Sequence, residues 1–102
     1  MTLKIEKSNN AEKKAWEFKL GGEIDISNAD QLKTQIEAAL AETKQNIELD
    51  LAELVYIDST GLGVIIAAHS SIKKDGFGVK VYGAVGAVKK LLTVSSLDKI
   101  LN

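Results

Sequence analysis

Two stretches near the start of the chain alternate apolar with polar side chains, which is the period of a strand with one buried face. They span residues 3–6 and 16–20, and the polar residues 8–10 between them are typical of a turn. This pattern predicts an N-terminal antiparallel hairpin, and the glycine pair at residues 21–22 is expected to end it.

Further along, apolar side chains recur at helical spacing and predict two amphipathic helices. The first spans residues 28–43, with Ser27 and Asp30 placed as a capping box at its start. The second begins beside Ser59 and stops at the Asp-Gly pair of residues 75–76. Its predicted inward face consists of four apolar residues: Leu62, Ile65, Ile66 and Ile72.

The remaining segments return to strand patterns and then to one more helix. Residues 47–51 alternate as a strand, a second short apolar stretch covers residues 55–57, and residues 79–82 form the last predicted strand. The turn at residues 83–86 leads into a third helix, and a last apolar fragment covers residues 97–101. The third helix is expected to face inward with Val88, Leu91 and Leu92.

The order of these elements predicts the fold class. Strands separated by helices imply right-handed crossovers between parallel neighbours, whereas the N-terminal hairpin is antiparallel. Because every predicted strand alternates, one face of the sheet is expected to be covered and the other left open. The expected fold is an α/β sandwich with a mixed, mostly parallel sheet and helices mainly on one face, formed by residues 1–102 as a single domain.

Composition narrows the possible functions. All 13 basic residues are lysine, and 14 acidic residues give a net charge of −1, so nucleic-acid binding, which relies on arginine and a basic surface, is not expected. The chain has no cysteine for a disulfide or a thiolate metal site. No apolar run approaches the roughly 18 residues of a membrane span, so we expect a cytoplasmic protein with no membrane partner.

The segment Ile-Asp-Ser-Thr-Gly-Leu-Gly at residues 57–63 places a hydroxyl, that of Ser59, where a strand ends and a helix begins. Either Asp58 or Ser59 is expected to cap the helix by accepting from a free N–H of its first turn. Those free N–H groups and the helix dipole would favour an added phosphate there. Gly61 and Gly63 are poor helix formers, and we interpret them as keeping Ser59 accessible to another protein.

Catalysis is not expected. His69 is the only histidine, and at ten residues from Ser59 it lies about 15 Å away along the same helix, too far for a base, so it is interpreted as a half-buried helix residue. The serine is not in a G-x-S-x-G elbow, and no phosphate-binding loop is present. Neither a metal nor a cofactor is expected. The acidic residues that could suggest a cation site are interpreted as solvated carboxylates: Glu23, Asp25, Glu48, Asp50 and Asp58.

Four short motifs together resemble the STAS domains of the bacterial anti-sigma factor antagonist family. They are Gly-Glu-Ile-Asp at residues 22–25, Leu-Asp-Leu at 49–51, Tyr-Ile-Asp-Ser-Thr-Gly-Leu-Gly at 56–63 and Ala-Val-Lys-Lys-Leu-Leu at 87–92. The resemblance covers nearly the whole chain. Its most specific part is the combination of the first motif with Asp-Ser-Thr-Gly-Leu-Gly.

The resemblance implies a regulatory switch. In this family the unmodified domain binds an anti-sigma factor and frees the sigma factor that it held. The anti-sigma factor is a serine kinase, and it would phosphorylate Ser59, after which the complex dissociates and a serine phosphatase resets the domain. The implied partner-binding residues are Glu23, Asp25, Asp58, Ser59, Thr60, Gly61 and Leu62.

A phosphate on Ser59 is expected to leave the domain folded, because the helix dipole favours a negative charge there. It is expected to act at the interface, where it would join Asp58 and Asp25 in an acidic patch. Three other interpretations stay open from the sequence. The chain could be a STAS accessory subunit of a lipid-transport ABC system, docked to the transporter ATPase. It could also be a small hydrolase or NTPase, or a passive domain in which Ser59 only caps a helix.

Overall fold

A computed structural model of the chain describes residues 2–95 and Leu97. Four strands form one sheet in the order β1-β2-β3-β4, with β1 antiparallel to β2 and the other neighbours parallel, so the predicted mixed, mostly parallel sheet is confirmed. The elements in chain order are β1 (Leu3–Asn10), β2 (Ala15–Ile24), α1 (Ala29–Glu42), β3 (Asn46–Ile57), α2 (Ser59–Lys73), β4 (Val79–Tyr82) and α3 (Gly86–Val94).

The two faces of the sheet differ as the alternation predicted. Side chains from one face and from all three helices form the core, among them Phe18, Leu49, Val81, Leu32, Ile65 and Val88. On the other face, Glu17, Glu48 and Asp50 stay partly exposed. Lysines pair with carboxylates on this side, at 2.9 Å from Lys13 Nζ to Glu48 and 2.7 Å from Lys19 Nζ to Glu53. The helices therefore gather mainly on one face, as expected.

The N-terminal hairpin is confirmed, but its turn and its end were wrongly placed. The polar residues 8–10 belong to β1, and the turn is at residues 11–14. The glycine pair at residues 21–22 does not end β2, which continues to Ile24 through two register irregularities opposite β3. Gly22 has a φ of 88°, and a Cβ there would lie 2.2 Å from the carbonyl oxygen of Thr2. Glycine at this position lets β1 stay paired while β2 bends.

The two apolar stretches predicted after α1 belong to one strand of 12 residues, β3. The same irregularities that bend β2 add extra residues to β3, so its inward positions lose their period of two beyond Leu51. Leu54 and Ile57 are buried although they lie three residues apart. A break in alternation here marks bulges within a strand and not a loop between two elements.

The helices depart from the predictions at two points, and most of one further predicted fragment lies outside the described residues. α1 begins at Ala29 with Asn28 as its N-cap residue, and the proposed capping box is wrong because Ser27 donates to Asp25 instead. On α2, Ile66 is 38% exposed and therefore does not belong to the inward face, whereas Leu62, Ile65 and Ile72 are buried as predicted. Of the fragment predicted at residues 97–101 only Leu97 is described, and it is buried in the core.

Strand register brings two loops together. Ile24 at the end of β2 pairs in parallel with Ile57 at the end of β3, so both strands stop at the same edge of the sheet. The backbone N–H of Asp58 donates to the carbonyl of Ile24 over 3.2 Å, which joins the two strand ends directly. The loop before α1 and the start of α2 consequently lie side by side.

Gly61 lets the first turn of α2 sit directly on these strand ends. A Cβ at Gly61 would come within 2.7 Å of Ile24 Cγ2 and Ile57 Cγ1, which are both buried. Gly61 is therefore needed for internal packing, and its interpretation as a means of exposing Ser59 is wrong. A Cβ at Gly63 would meet nothing within 4 Å, so the open surface expected at that glycine is present.

These two glycines predict opposite effects on stability. Gly61→Ala should lower the free energy of unfolding by about 1–3 kcal/mol, because overpacking against two buried isoleucines outweighs the better helix propensity of alanine. Gly63→Ala should raise it by up to about 1 kcal/mol through propensity alone. Urea denaturation of both variants checks this, and a Gly61→Ala variant as stable as Gly63→Ala would contradict the packing argument.

Candidate functional site

Asp58 organises the start of α2. Its Oδ1 accepts hydrogen bonds from the backbone N–H of Thr60 at 2.9 Å and of Gly61 at 3.1 Å, and from the Thr60 hydroxyl. Its own carbonyl accepts from the N–H of Leu62 at 3.1 Å. Of the two candidate caps, the structure therefore selects Asp58, and it satisfies the donors that the first turn of a helix leaves unpaired.

The hydrogen bonds to Asp58 favour its ionised form. The Thr60 hydroxyl is the strongest cause that lowers the pKa of this carboxyl, and the backbone N–H groups of Gly61, Thr60 and Ile26 lower it further, against a partial desolvation. Asp58 is thus a carboxylate at neutral pH, and its Oδ1 accepts three hydrogen bonds from the first turn of α2. The backbone N–H of Asp58, which donates to the carbonyl of Ile24 over 3.2 Å, also ties the end of β2 to the start of α2.

The two hydroxyls after Asp58 have different surroundings. Ser59 is exposed, and its Oγ makes no hydrogen bond to the part of the chain that the structure describes. Thr60 is half-buried, and its hydroxyl donates to Asp58. The oxygen of Ser59 is therefore the one that another protein can reach without breaking a bond within the chain.

Two amides of the helix N-terminus are not free to receive a phosphate, contrary to the expectation from the sequence. The amides of Thr60 and Gly61 already donate to the Asp58 carboxylate. A phosphate on Ser59 would consequently project outward, beside an existing negative charge and without those donors. This geometry changes the expected effect of the phosphate from a local gain to added repulsion at the surface.

The neighbouring loop is held by the buried side chain of Asn28. Its Oδ1 accepts from the N–H of Asp25 at 2.9 Å, and its Nδ2 donates to the carbonyl of Glu23 at 3.0 Å. Asp25 Oδ1 in turn accepts from the N–H of Ser27 at 2.9 Å. The sequence marks Asn28 only as a helix start, so its role in fixing this loop was missed.

The structure brings together five of the seven predicted partner-binding residues at the edge where β2 and β3 end. Glu23, Asp25, Asp58 and Thr60 are half-buried there, and Ser59 is exposed. The other two, Gly61 and Leu62, are buried and support the loop from inside, and their role as partner contacts stays a prediction. Two exposed residues of the same region were missed as surface, Ile26 and Ile66, whereas Gly63 is exposed as expected.

This edge carries negative charge, and the two chain segments that form it contain no basic residue. Residues 20–32 and 45–72, which include both loops, contain no lysine or arginine. They include Glu23, Asp25 and Asp58 at the edge itself. An additional anion here would meet carboxylates and no cation from its own segments.

His69 has a structural contact away from Ser59. His69 is half-buried as expected, and its Nδ1 accepts from the N–H of Val79 at 3.0 Å, which links α2 to β4. Within residues 2–95 and Leu97, no group of three His, Asp or Glu side chains is arranged to hold a metal. The helices of this described part include none that is both long and apolar enough to span a membrane.

Comparison with known proteins identifies the family of the chain. The family model described as "Mlab, STAS domain" matches residues 9–102. The anti-sigma F factor antagonist of Paenibacillus polymyxa is 33% identical over 84 residues, which cover 81% of this chain and 72% of the relative. Such relatives favour the antagonist interpretation over the transporter accessory subunit.

Two solved structures share the fold. An anti-sigma factor antagonist from Mycobacterium paratuberculosis has a TM-score of 0.81 at 24% identity, over 98% of this chain and 83% of that one. The Bacillus cell fate determinant SpoIIAA in its phosphorylated form has a TM-score of 0.69 at 17% identity, over 96% of this chain and 86% of that one.

The bonds to Asp58 predict a pH-dependent contribution to stability. Its folded-state pKa lies below the unfolded value near 3.8, so the carboxylate favours the folded chain fully above that value and less as the pH falls through the folded pKa. The difference in free energy of unfolding between the wild type and Asp58→Asn should therefore be constant near neutral pH and shrink below about pH 4.

The variant Thr60→Val tests whether the Thr60 hydroxyl lowers the pKa of Asp58. Removing the hydroxyl should raise the pKa of Asp58 toward its ordinary value, because the strongest hydrogen bond to the carboxylate is lost. Carbon-detected NMR titration of the Asp58 carboxyl measures this. An unchanged pKa in Thr60→Val would show that the backbone N–H groups alone hold the carboxylate.

Proposed function

Because the chain belongs to the STAS domain family, we propose that it is an anti-sigma factor antagonist whose binding to its partner is ended by phosphorylation of Ser59. The observation that carries the proposal is the exposed hydroxyl of Ser59, which has no hydrogen bond within residues 2–95 and Leu97 and follows the capping carboxylate of Asp58. The names of the relatives support the partner class, and the phosphorylated form of SpoIIAA, a protein with the same fold, supports a phosphate-dependent state.

In the proposed cycle, the unmodified chain binds an anti-sigma factor with serine kinase activity and displaces the sigma factor. Residues 1–102 act as one STAS domain in the cytoplasm, with contacts at Glu23, Asp25, Asp58, Ser59 and Thr60. The kinase then phosphorylates Ser59, and the modified chain dissociates. A serine phosphatase hydrolyses the phosphate and restores the binding form. The chain itself has no catalytic role.

Phosphoryl transfer would join the γ-phosphorus of ATP to Ser59 Oγ as the bond to ADP breaks. The hydroxyl proton must leave to a base, and Asp58 is poorly suited to take it. Its Oδ1 already accepts from Thr60 and Gly61, and its lowered pKa makes it a weak base. The base is therefore assigned to the kinase, in agreement with how kinases supply it.

Release follows from charge. The phosphate adds about −1.5 to −2 charge at an edge that carries Asp25 and Asp58 and whose two loops hold no lysine. A partner surface that fits a neutral hydroxyl would have to desolvate this new anion. A loss of only about 2.8 kcal/mol weakens binding about a hundredfold. The scaffold is spared because no described hydrogen bond of the cap involves Ser59 Oγ.

The site of modification can be tested with the purified anti-sigma factors of the source organism and ATP. One of them should add a single phosphate to Ser59, located by peptide mass spectrometry. Ser59→Ala should take up none, whereas the matched variant Thr60→Val should still be modified because its serine is intact. Phosphate found on Thr60, or uptake from none of these kinases, would contradict the proposal.

The charge mechanism predicts a contrast between two substitutions at one position. Ser59→Ala should bind the anti-sigma factor about as well as the wild type, and Ser59→Asp should bind at least about tenfold more weakly, as measured by calorimetry. Higher salt should restore part of the lost affinity.

Ser70→Asp is the matched control, because Ser70 is an exposed serine of the same helix about 16 Å along its axis. It should bind like the wild type. Equal affinities of Ser59→Ala and Ser59→Asp, or an equal loss in Ser70→Asp, would remove the local electrostatic argument.

A further inference from the structure

Ile26 is the most exposed of the large apolar side chains described, at 82%. The fold does not require it. Its side chain is outside the core, its backbone is not in the left-handed region, and the turn is formed by the side chains of Asp25 and Asn28. An exposed position of this kind accepts polar residues at no cost in stability. Because neither the core nor the turn uses it, the side chain of Ile26 is available for a contact outside the chain.

The loop around Ile26 is rigid. The residue before it is held at its N–H by Asn28 and at its carbonyl by the N–H groups of Asn28 and Ala29, at 3.1 and 2.8 Å. The residue after it donates to the Asp25 carboxylate through its N–H and its hydroxyl. A side chain presented on such a loop loses little backbone freedom when it is bound, which makes it an efficient contact.

Ile26 also lies beside the modified residue. Ile26 follows Ile24 by two residues, and the carbonyl of Ile24 accepts over 3.2 Å from the N–H of Asp58, the residue that immediately precedes Ser59. A kinase that brings the γ-phosphate of ATP to Ser59 Oγ has to cover the adjoining loop. On α2, no atom would contact a Cβ at Gly63, about one turn beyond Ser59, and Ile66 is exposed about two turns beyond it. The serine is thus bordered by apolar surface as well as by carboxylates.

We propose that Ile26 is the specificity-determining anchor of this surface and fills an apolar pocket next to the nucleotide site of the anti-sigma factor kinase. This inference rests on the proposed function, since it names how the kinase recognises its substrate. Charged groups at the edge respond to phosphorylation, whereas the contact of Ile26 is independent of charge. Apolar anchors at the centre of an interface commonly account for most of its affinity, so one residue can suffice.

The test compares Ile26→Ala and Ile26→Leu with the wild type, using the anti-sigma factor that phosphorylates the wild-type chain. Ile26→Ala should weaken binding about tenfold or more, measured by calorimetry, and raise the KM for phosphorylation by a similar factor with kcat nearly unchanged. Ile26→Leu, which keeps the apolar volume, should recover most of the affinity. The thermal midpoint of both variants should equal that of the wild type.

Val94→Ala is the matched control, because Val94 is an apolar residue of α3 that is 73% exposed. It should leave binding and KM unchanged. If the wild type is phosphorylated on Ser59 but Ile26→Ala has an unchanged KM, or Val94→Ala loses as much affinity, the anchor is contradicted and the proposed function stands. If no anti-sigma factor binds or phosphorylates the wild type, the proposed function itself fails.

Discussion

The hydrogen bonds of one carboxylate hold the functional edge of this protein together. Asp58 caps α2 through the amides of Thr60 and Gly61 and through the hydroxyl of Thr60. Its backbone N–H also donates to Ile24 at the end of β2. A single residue thus terminates β3, starts α2 and fixes the adjacent loop, and the exposed serine follows it directly.

This arrangement separates the scaffold from the signal. The groups that maintain the local structure, namely Asp58, Thr60 and Asn28, have their hydrogen bonds within the chain. The group proposed to carry the signal, Ser59, has an exposed hydroxyl. A phosphate on Ser59 can therefore change which protein the surface binds without breaking the hydrogen bonds that cap α2. Because the amides at the helix start are occupied, the added charge has to be compensated by solvent or by another protein, which makes it effective at an interface.

The errors in predicting the elements share a physical cause. Gly22 reads as a strand breaker, yet a close contact with Thr2 and the bend of β2 require a glycine inside the strand. The bulged end of β3 was predicted as two segments. Its bulges are defined only by its pairing with β2, where β3 has extra residues, and this pairing is not visible in the sequence of β3 alone. Ile66 fits the helical period, but the sheet and α1 cover only a narrower stripe of α2. Periodicity gives the type of an element, and packing decides its limits and its buried face.

What the sequence by itself determined was local. A helix start capped by Asp58 or Ser59 follows from hydrogen bonds between residues at most three apart, and the alternating strands dictate a sheet with one open face. Only the tertiary structure decided that Gly61 and Leu62 are internal, that Thr60 is engaged, and that Ile26 stands beside the serine. These facts depend on the register between β2 and β3, whose paired ends are more than 30 residues apart along the chain. Side-chain patterns within one segment carry no information about which distant loop will share its edge.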